Sequence, residues 1–134
     1  MKIISWNTNS RSNPKTLEKQ CTYLKKGNYD VICLQEITIK SQEIFKDYFS
    51  EFKVVSSFDL VKNLSELIGK RKYGELIISK NNFEELNPDR IKIPYPERVL
   101  SVKFDSDLEL LTTHIPPGSS NGVIKIEHFE GIYE

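Results

Sequence analysis

The 134-residue sequence has few of the features that mark small secreted proteins or membrane proteins. Its only cysteines, Cys21 and Cys33, fall in a helix-like and a strand-like pattern, which is typical of small buried side chains and not of a disulfide framework or a zinc site. No apolar run approaches the roughly 18 residues of a membrane span. The opening MKIISWN is too short, and too polar after Trp6, to be a signal peptide. These absences predict a cytoplasmic protein without a membrane span.

Net charge is also absent, because the 19 basic and 19 acidic residues cancel. A nucleic-acid partner is therefore not indicated by any global positive field, and an anion site has to be local. Apolar residues at 38% and charged residues at 28% are typical of a globular protein. A chain of this length can bury a sizeable core without a disulfide or metal. We predict a single domain over residues 1–134.

The first third of the sequence predicts a strand–helix–strand unit. KIISW (2–6) is rich in β-branched residues, and VICL (31–34) is apolar on both faces, as buried parallel strands are. Between them, Asn13 is placed to cap a helix that begins at Pro14 and stops at Gly27. A crossover of this kind makes the two strands parallel.

The rest of the chain predicts both kinds of element. A second helix is predicted to be capped by Ser41, and a closing helix is predicted over residues 123–132. Residues 58–73 fit either a helical turn or a loop. The last two predicted strands are joined by a tight connection at residues 105–107. The further predicted strands are FKVVSS (52–57), GELIISK (74–80), RVLSVKF (98–104) and LELLTTH (108–114).

A carboxylate and an amide follow the two parallel strands. The first strand ends in Asn7 and the second in Glu36. Because the carboxyl ends of parallel strands meet at one edge of a sheet, we expect these side chains to lie within about 6 Å of each other, near enough to share one hydrated cation. Both supply the oxygen donors that Mg²⁺ prefers. The alternative is a solvated strand end and an ordinary turn residue.

Other residues are suited to contact a phosphate. His114 ends LELLTTH, where a histidine can protonate a leaving oxygen or hold a phosphate, or can have a purely structural role. Arg98 opens the preceding strand and can bind a phosphate through two hydrogen bonds, or be a solvated charge. The basic run Lys70-Arg71-Lys72 can contact a nucleic-acid backbone or be a solvated loop.

Taken together, these segments resemble the endonuclease/exonuclease/phosphatase superfamily. KIISWNTNS resembles its opening strand, whose metal-site Asn matches Asn7, and DVICLQEI resembles its QE motif, whose metal-binding Glu matches Glu36. YGELIISK and PERVLSVKF resemble two further family strands. TTHIPPGSSNG resembles the segment with the family's phosphate-facing His, here His114. The resemblance implies a Mg²⁺ or Mn²⁺ ion held by Glu36 and Asn7, with His114 as a third catalytic residue. It also implies phosphate contacts from Arg98 and Asn9.

The chain departs from the family in its length. Family members are considerably longer, with two similar α/β halves whose sheets pack face to face. The G-D-x-N and terminal D-H motifs of the second half are missing here, and His128 in EHFEG matches neither, so we predict a helix-surface histidine. The implied fold is α/β, half of a four-layer α-β-β-α sandwich, with a mixed sheet and helices on one face.

The implied activity of the complete protein is Mg²⁺-dependent hydrolysis of a phosphodiester, with nucleic acid as the substrate. The chain alone is expected to be almost inert, because the groups that position the attacking water belong to the second half. The alternatives are a non-catalytic binding or assembly module of the same fold, or a phosphatase-type or phospholipase-type member. A missing second sheet would leave an apolar face bare, so we expect a second half-fold or a homodimer partner to cover it.

Overall fold

The structure, a computed structural model, describes residues 1–61, 73–116 and 118–133. Lys70-Arg71-Lys72 and the larger part of the ambiguous segment 58–73 lie outside the described residues. The helices are α1 (Pro14–Lys26), α2 (Ile39–Tyr48), the short α3 (Ser57–Leu60) and α4 (Gly118–Tyr133). The strands are β1 (Ile3–Asn7), β2 (Val31–Ile37), β3 (Lys53–Ser56), β4 (Gly74–Ser79), β5 (Phe83–Glu85), β6 (Val99–Phe104) and β7 (Glu109–Thr113).

A four-stranded mixed sheet contains both predicted parallel strands. Its order is β1-β2-β4-β3, with β1 and β2 parallel and the other two pairs antiparallel. Asn7 lies opposite Gln35, so the carboxyl ends of β1 and β2 share one edge of the sheet. The predicted strand–helix–strand unit is confirmed, as are the α/β class and the mixed sheet with helices on one face.

Helices α1 and α2 cover one face of this sheet. Asn13 caps α1, since its side-chain oxygen accepts a hydrogen bond from the Lys15 amide at 2.9 Å. Leu17, Cys21 and Leu24 of α1 are buried against the sheet, as their spacing predicts.

The cap of α2 is Thr38 and not Ser41. The Thr38 hydroxyl accepts a hydrogen bond from the Ser41 amide at 3.0 Å, and the Ser41 hydroxyl accepts one from the Thr38 amide at 2.9 Å. Ser41 is therefore the third helical residue of a reciprocal capping box. The prediction placed the helix start three residues too late because either hydroxyl residue suits a cap.

The chain's own second sheet covers the face that was predicted to be bare. Strands β5, β6 and β7 form an antiparallel sheet, and alternate residues of β6 point toward the first sheet. The expectation of a bare apolar face is therefore wrong, and with it the reason for a half-fold or dimer partner there. Residues 80–82 connect β4 of the first sheet to β5 of the second. The shared core consists of Val31, Cys33, Val55, Ile77, Phe83, Leu100, Val102 and Phe104.

Helix α4 exposes several apolar residues and buries its histidine. Val123 and Ile126 are exposed, whereas His128 is completely buried. The predicted surface position of His128 is wrong, because its ring forms a hydrogen bond with Thr113 at the end of β7. In the part of the chain that the structure describes, no helix is long and apolar enough to cross a membrane.

Candidate active site at the edge of the first sheet

Glu36 has an unusual backbone conformation at the end of β2. Its φ angle is 55°, in the left-handed region, where the pairing of β2 with β4 shifts register between Leu34 and Ile37. A side chain with a Cβ is disfavoured there by about 1–2 kcal/mol. The loop after β1 holds this conformation, because the Ser10 amide donates to the Glu36 carbonyl at 3.1 Å. Thr8 adds a hydroxyl bond to the Gln35 carbonyl at 2.9 Å.

Asn7 ends the neighbouring strand at the same edge. Its side-chain oxygen accepts a hydrogen bond from the Asn9 amide at 2.8 Å, and a second lone pair remains on that oxygen. Asn9 itself is exposed, with a φ angle of 60°. The structure thus brings Asn7, Asn9 and Glu36 to one edge, and the separation of about 6 Å between the Asn7 and Glu36 side chains stays a prediction.

A buried acid–histidine pair lies between the two sheets. His114 follows β7, and its Nδ1 lies 2.5 Å from Oε1 of Glu75 on β4. Glu75 is fully buried, and Glu36 is close enough to raise its pKa. The sequence of β4, GELIIS, contains one indication of this pair, the carboxylate of Glu75. A lone carboxylate with apolar neighbours in a buried strand requires a partner.

The pair is held in its neutral form. Desolvation raises the pKa of Glu75 well above its usual range, and burial lowers the pKa of His114 to about 3, with the positive charge of Arg98 acting in the same direction. Both shifts favour the arrangement in which Glu75 keeps its proton and donates it to Nδ1 of His114. The other ring nitrogen, Nε2, is buried without a hydrogen-bond partner among the described residues.

A glutamine links this pair to the parallel strands. Gln35 donates through its side-chain amide to the Thr112 hydroxyl at 2.9 Å and to the Ser5 hydroxyl at 3.0 Å. The Thr112 hydroxyl in turn donates to Oε2 of Glu75 at 3.4 Å. This network ties β1, β2, β4 and β7 together. Sequence reasoning missed Gln35, Glu75 and Thr112 because the pairing of the two sheets is not visible along the chain.

Arg98 is held by aromatic rings next to the pair. Its guanidinium lies 4.5 Å from the ring centre of Tyr95 and 5.8 Å from that of Tyr73. Its charge lowers the pKa of both His114 and His128. Arg98 is therefore a cation next to this buried network, and its role as a phosphate ligand stays a prediction.

The donor set at the edge fits a hard divalent cation. The Glu36 carboxylate has no hydrogen bond or ion pair with the residues that the structure describes, and Asn7 adds an amide oxygen. Mg²⁺ is held in many proteins by one or two such donors, with water and substrate phosphate completing the shell. Within residues 1–61, 73–116 and 118–133, no three His, Cys, Asp or Glu side chains cluster as a fuller metal site.

Fold and edge together define an α/β protein with oxygen donors at its strand ends and a buried acid–histidine pair behind them. Residues 4–124 match the model of the Endonuclease/Exonuclease/phosphatase family, and the chain belongs to that family. No curated protein matches the sequence.

Solved structures show the same fold at low identity. An AP endonuclease from Archaeoglobus fulgidus has a TM-score of 0.69 at 21% identity, covering 99% of this chain and 49% of its own. D. rerio TDP2 complexed with single strand DNA product has a TM-score of 0.67 at 16% identity, covering 98% and 52%. ANGEL2, a 2',3'-cyclic phosphatase, has a TM-score of 0.62 at 16% identity, covering 97% and 45%. The chain thus spans about half the length of these structures.

Proposed function

We propose that this chain carries the metal-facing and phosphate-facing part of a Mg²⁺-dependent phosphodiester hydrolase that acts on nucleic acid. The observation that carries the proposal is the position of Glu36, fixed by a bulge beside Asn7 at the edge that also borders the Glu75–His114 pair. Membership of a nuclease and phosphatase family supports the reaction class. The single strand DNA product bound by the D. rerio relative supports nucleic acid as the substrate.

In this proposal Glu36 and Asn7 hold the cation. A cation held there would stabilise the charge that develops on the leaving oxygen. Arg98 and Asn9 contact the other phosphate oxygens, Arg98 through its paired N–H groups. No observation favours a non-catalytic module over this hydrolase.

His114 acts as the proton donor. Because Nδ1 accepts the proton of Glu75, the neutral ring carries its own hydrogen on Nε2. A phosphate that approaches adds negative charge, which favours transfer of the Glu75 proton to Nδ1 and leaves an imidazolium. The Nε2–H group then donates to the leaving oxygen, and the Glu75 carboxylate balances the charge.

Paramagnetic Mn²⁺ tests the metal site on this chain. In an NMR titration, substoichiometric Mn²⁺ should broaden the amide signals of residues 7–10 and 35–37 before all others. Glu36→Gln keeps the shape of the side chain and removes its charge, and it should abolish this selectivity. Glu18→Gln, on the exposed face of α1, is the matched control and should leave it unchanged. Even broadening of the whole spectrum, or an unchanged pattern in Glu36→Gln, would contradict the proposal.

Turnover tests the reaction itself. Mg²⁺-dependent hydrolysis of a single-stranded oligonucleotide should be compared between this chain and a longer form that includes any second half. We expect the longer form to be active and His114→Ala to reduce its kcat by about 100-fold or more, the usual contribution of a general acid. An unchanged kcat with a lower melting temperature would make His114 a structural residue.

A further inference from the structure

His128 is a buried imidazole that the proposed reaction does not use. It lies on α4, where the other side chains of residues 122–132 are exposed or half-buried, and yet its own ring is inaccessible to solvent. Burial of a polar ring is unfavourable unless it is hydrogen-bonded. The ring therefore marks the point at which α4 is attached to the rest of the molecule.

The hydrogen bonds around Thr113 define the state of this ring. The Thr113 hydroxyl has one hydrogen, which it donates to the carbonyl oxygen of Arg98. Nε2 of His128 lies 2.9 Å from the same hydroxyl oxygen and must therefore donate to it. His128 thus carries a hydrogen on Nε2, and burial lowers the pKa of the ring, with the charge of Arg98 adding to the effect, which favours the neutral form.

The hydrogen bond from His128 to the Thr113 hydroxyl, called the relay below, ends next to the catalytic histidine. Thr113 directly precedes His114, so the bond from His128 fixes the backbone at the end of β7 while Glu75 fixes the His114 ring. A second contact holds α4 in place. At Gly131, an added Cβ would lie 1.9 Å from the Lys92 carbonyl oxygen, so only glycine permits this approach.

We propose that His128 is a positioning residue that holds His114 in line with Glu75 through the Thr113 hydroxyl. The inference rests on the proposed function for its catalytic meaning. The groups that face His128 and His114 are Arg98, directly before β6, and Glu75 on β4. The relay itself is a matter of geometry and is independent of metal binding.

The test follows the His114 ring by NMR in the intact chain. We expect His128→Leu, which fills the space but cannot donate, to shift the Nδ1 and Nε2 signals of His114. We also expect it to raise the pKa of His114 by about one unit, the scale of one hydrogen bond. Thr113→Val removes the same bond from the other side, together with the bond to the Arg98 carbonyl, and should shift the His114 signals in the same direction. The double variant should add nothing further, and His128→Gln, which retains an N–H donor, should stay near the wild type.

Two controls separate positioning from general loss of stability. Phe83→Leu weakens the core between the sheets without touching the relay, and it should leave the His114 signals in place. Ile126→Ala changes an exposed residue of α4 and should do the same. Unshifted His114 signals in folded Thr113→Val would overturn the proposal, as would equal shifts in His128→Gln and His128→Leu. A failed Mn²⁺ titration with these shifts present would count against the metal site alone.

Discussion

The space between the two sheets is apolar at one end and polar at the other. At the apolar end, Phe83 and Phe104 pack edge to face with ring centres 6.0 Å apart, as an ordinary sheet interface does. At the polar end, Gln35, Thr112 and the Glu75–His114 pair fill the same gap with hydrogen bonds. The first region supplies the free energy that keeps the sheets together. In the second region, burial of polar groups at the candidate active site costs free energy, which the apolar region offsets.

The largest expected effect concerns the apolar end. Phe83→Ala removes a fully buried ring and should lower the free energy of unfolding by about 3–5 kcal/mol, since the sheets cannot close the cavity. Chemical denaturation measures this loss. The Mn²⁺-dependent broadening at residues 7–10 should remain in the folded fraction, because the ring does not contribute to the edge. If Phe83→Ala lowers the stability and also abolishes the broadening in the folded fraction, the two ends are not independent.

The pH dependence of stability probes the polar end. Folded Glu75 keeps its proton, whereas in the unfolded chain it loses the proton above its ordinary pKa of 4.5. The stability that Glu75 contributes is therefore present below pH 4.5 and declines as the pH rises. Relative to Glu75→Gln, wild-type unfolding free energy should fall by about 1.4 kcal/mol per pH unit above that point. A constant difference would show an ionised Glu75 paired with a charged His114.

The smallest effect concerns the strained residue at the edge. Glu36→Gly relieves a left-handed conformation and should raise the free energy of unfolding by about 0.5–1 kcal/mol. Glu36→Ala is the control, because it removes the same carboxylate but keeps the strain. Thermal unfolding of both variants should separate them, while both lose the selective effect of Mn²⁺. Equal stability of the two variants would show that the left-handed backbone conformation at residue 36 does not lower the stability of the protein.

Local chemistry in the sequence was sufficient to predict the first part of the fold. Asn13 and Pro14 start α1 by capping rules, and the apolar VICL run indicates a buried parallel strand. The topology of a strand–helix–strand unit then brings Asn7 and Glu36 to one edge without any knowledge of the rest. Predictions of this kind succeed because they depend on residues close together in the chain.

The second sheet and the buried network could not be predicted in that way. Strands β6 and β7 have the same alternating pattern whether they extend the first sheet or pack on its face. Glu75 and His114 are 39 residues apart, and only the packing of the sheets brings them together. A surface position is predicted for His128 only because it matches neither histidine motif of the family, and its contact with Thr113 has no local signature.

The two cysteines lie on opposite sides of the first sheet. Cys21 of α1 packs between the helices and the sheet, and Cys33 of β2 lies between the two sheets. Burial raises the pKa of both thiols to about 12, so the reactive thiolate is scarce in the native protein. Alkylation of each thiol then has to wait for an opening motion that exposes it. The alkylation rate of Cys21 would therefore report how often the helices separate from the first sheet. The alkylation rate of Cys33 would report how often the two sheets separate from each other.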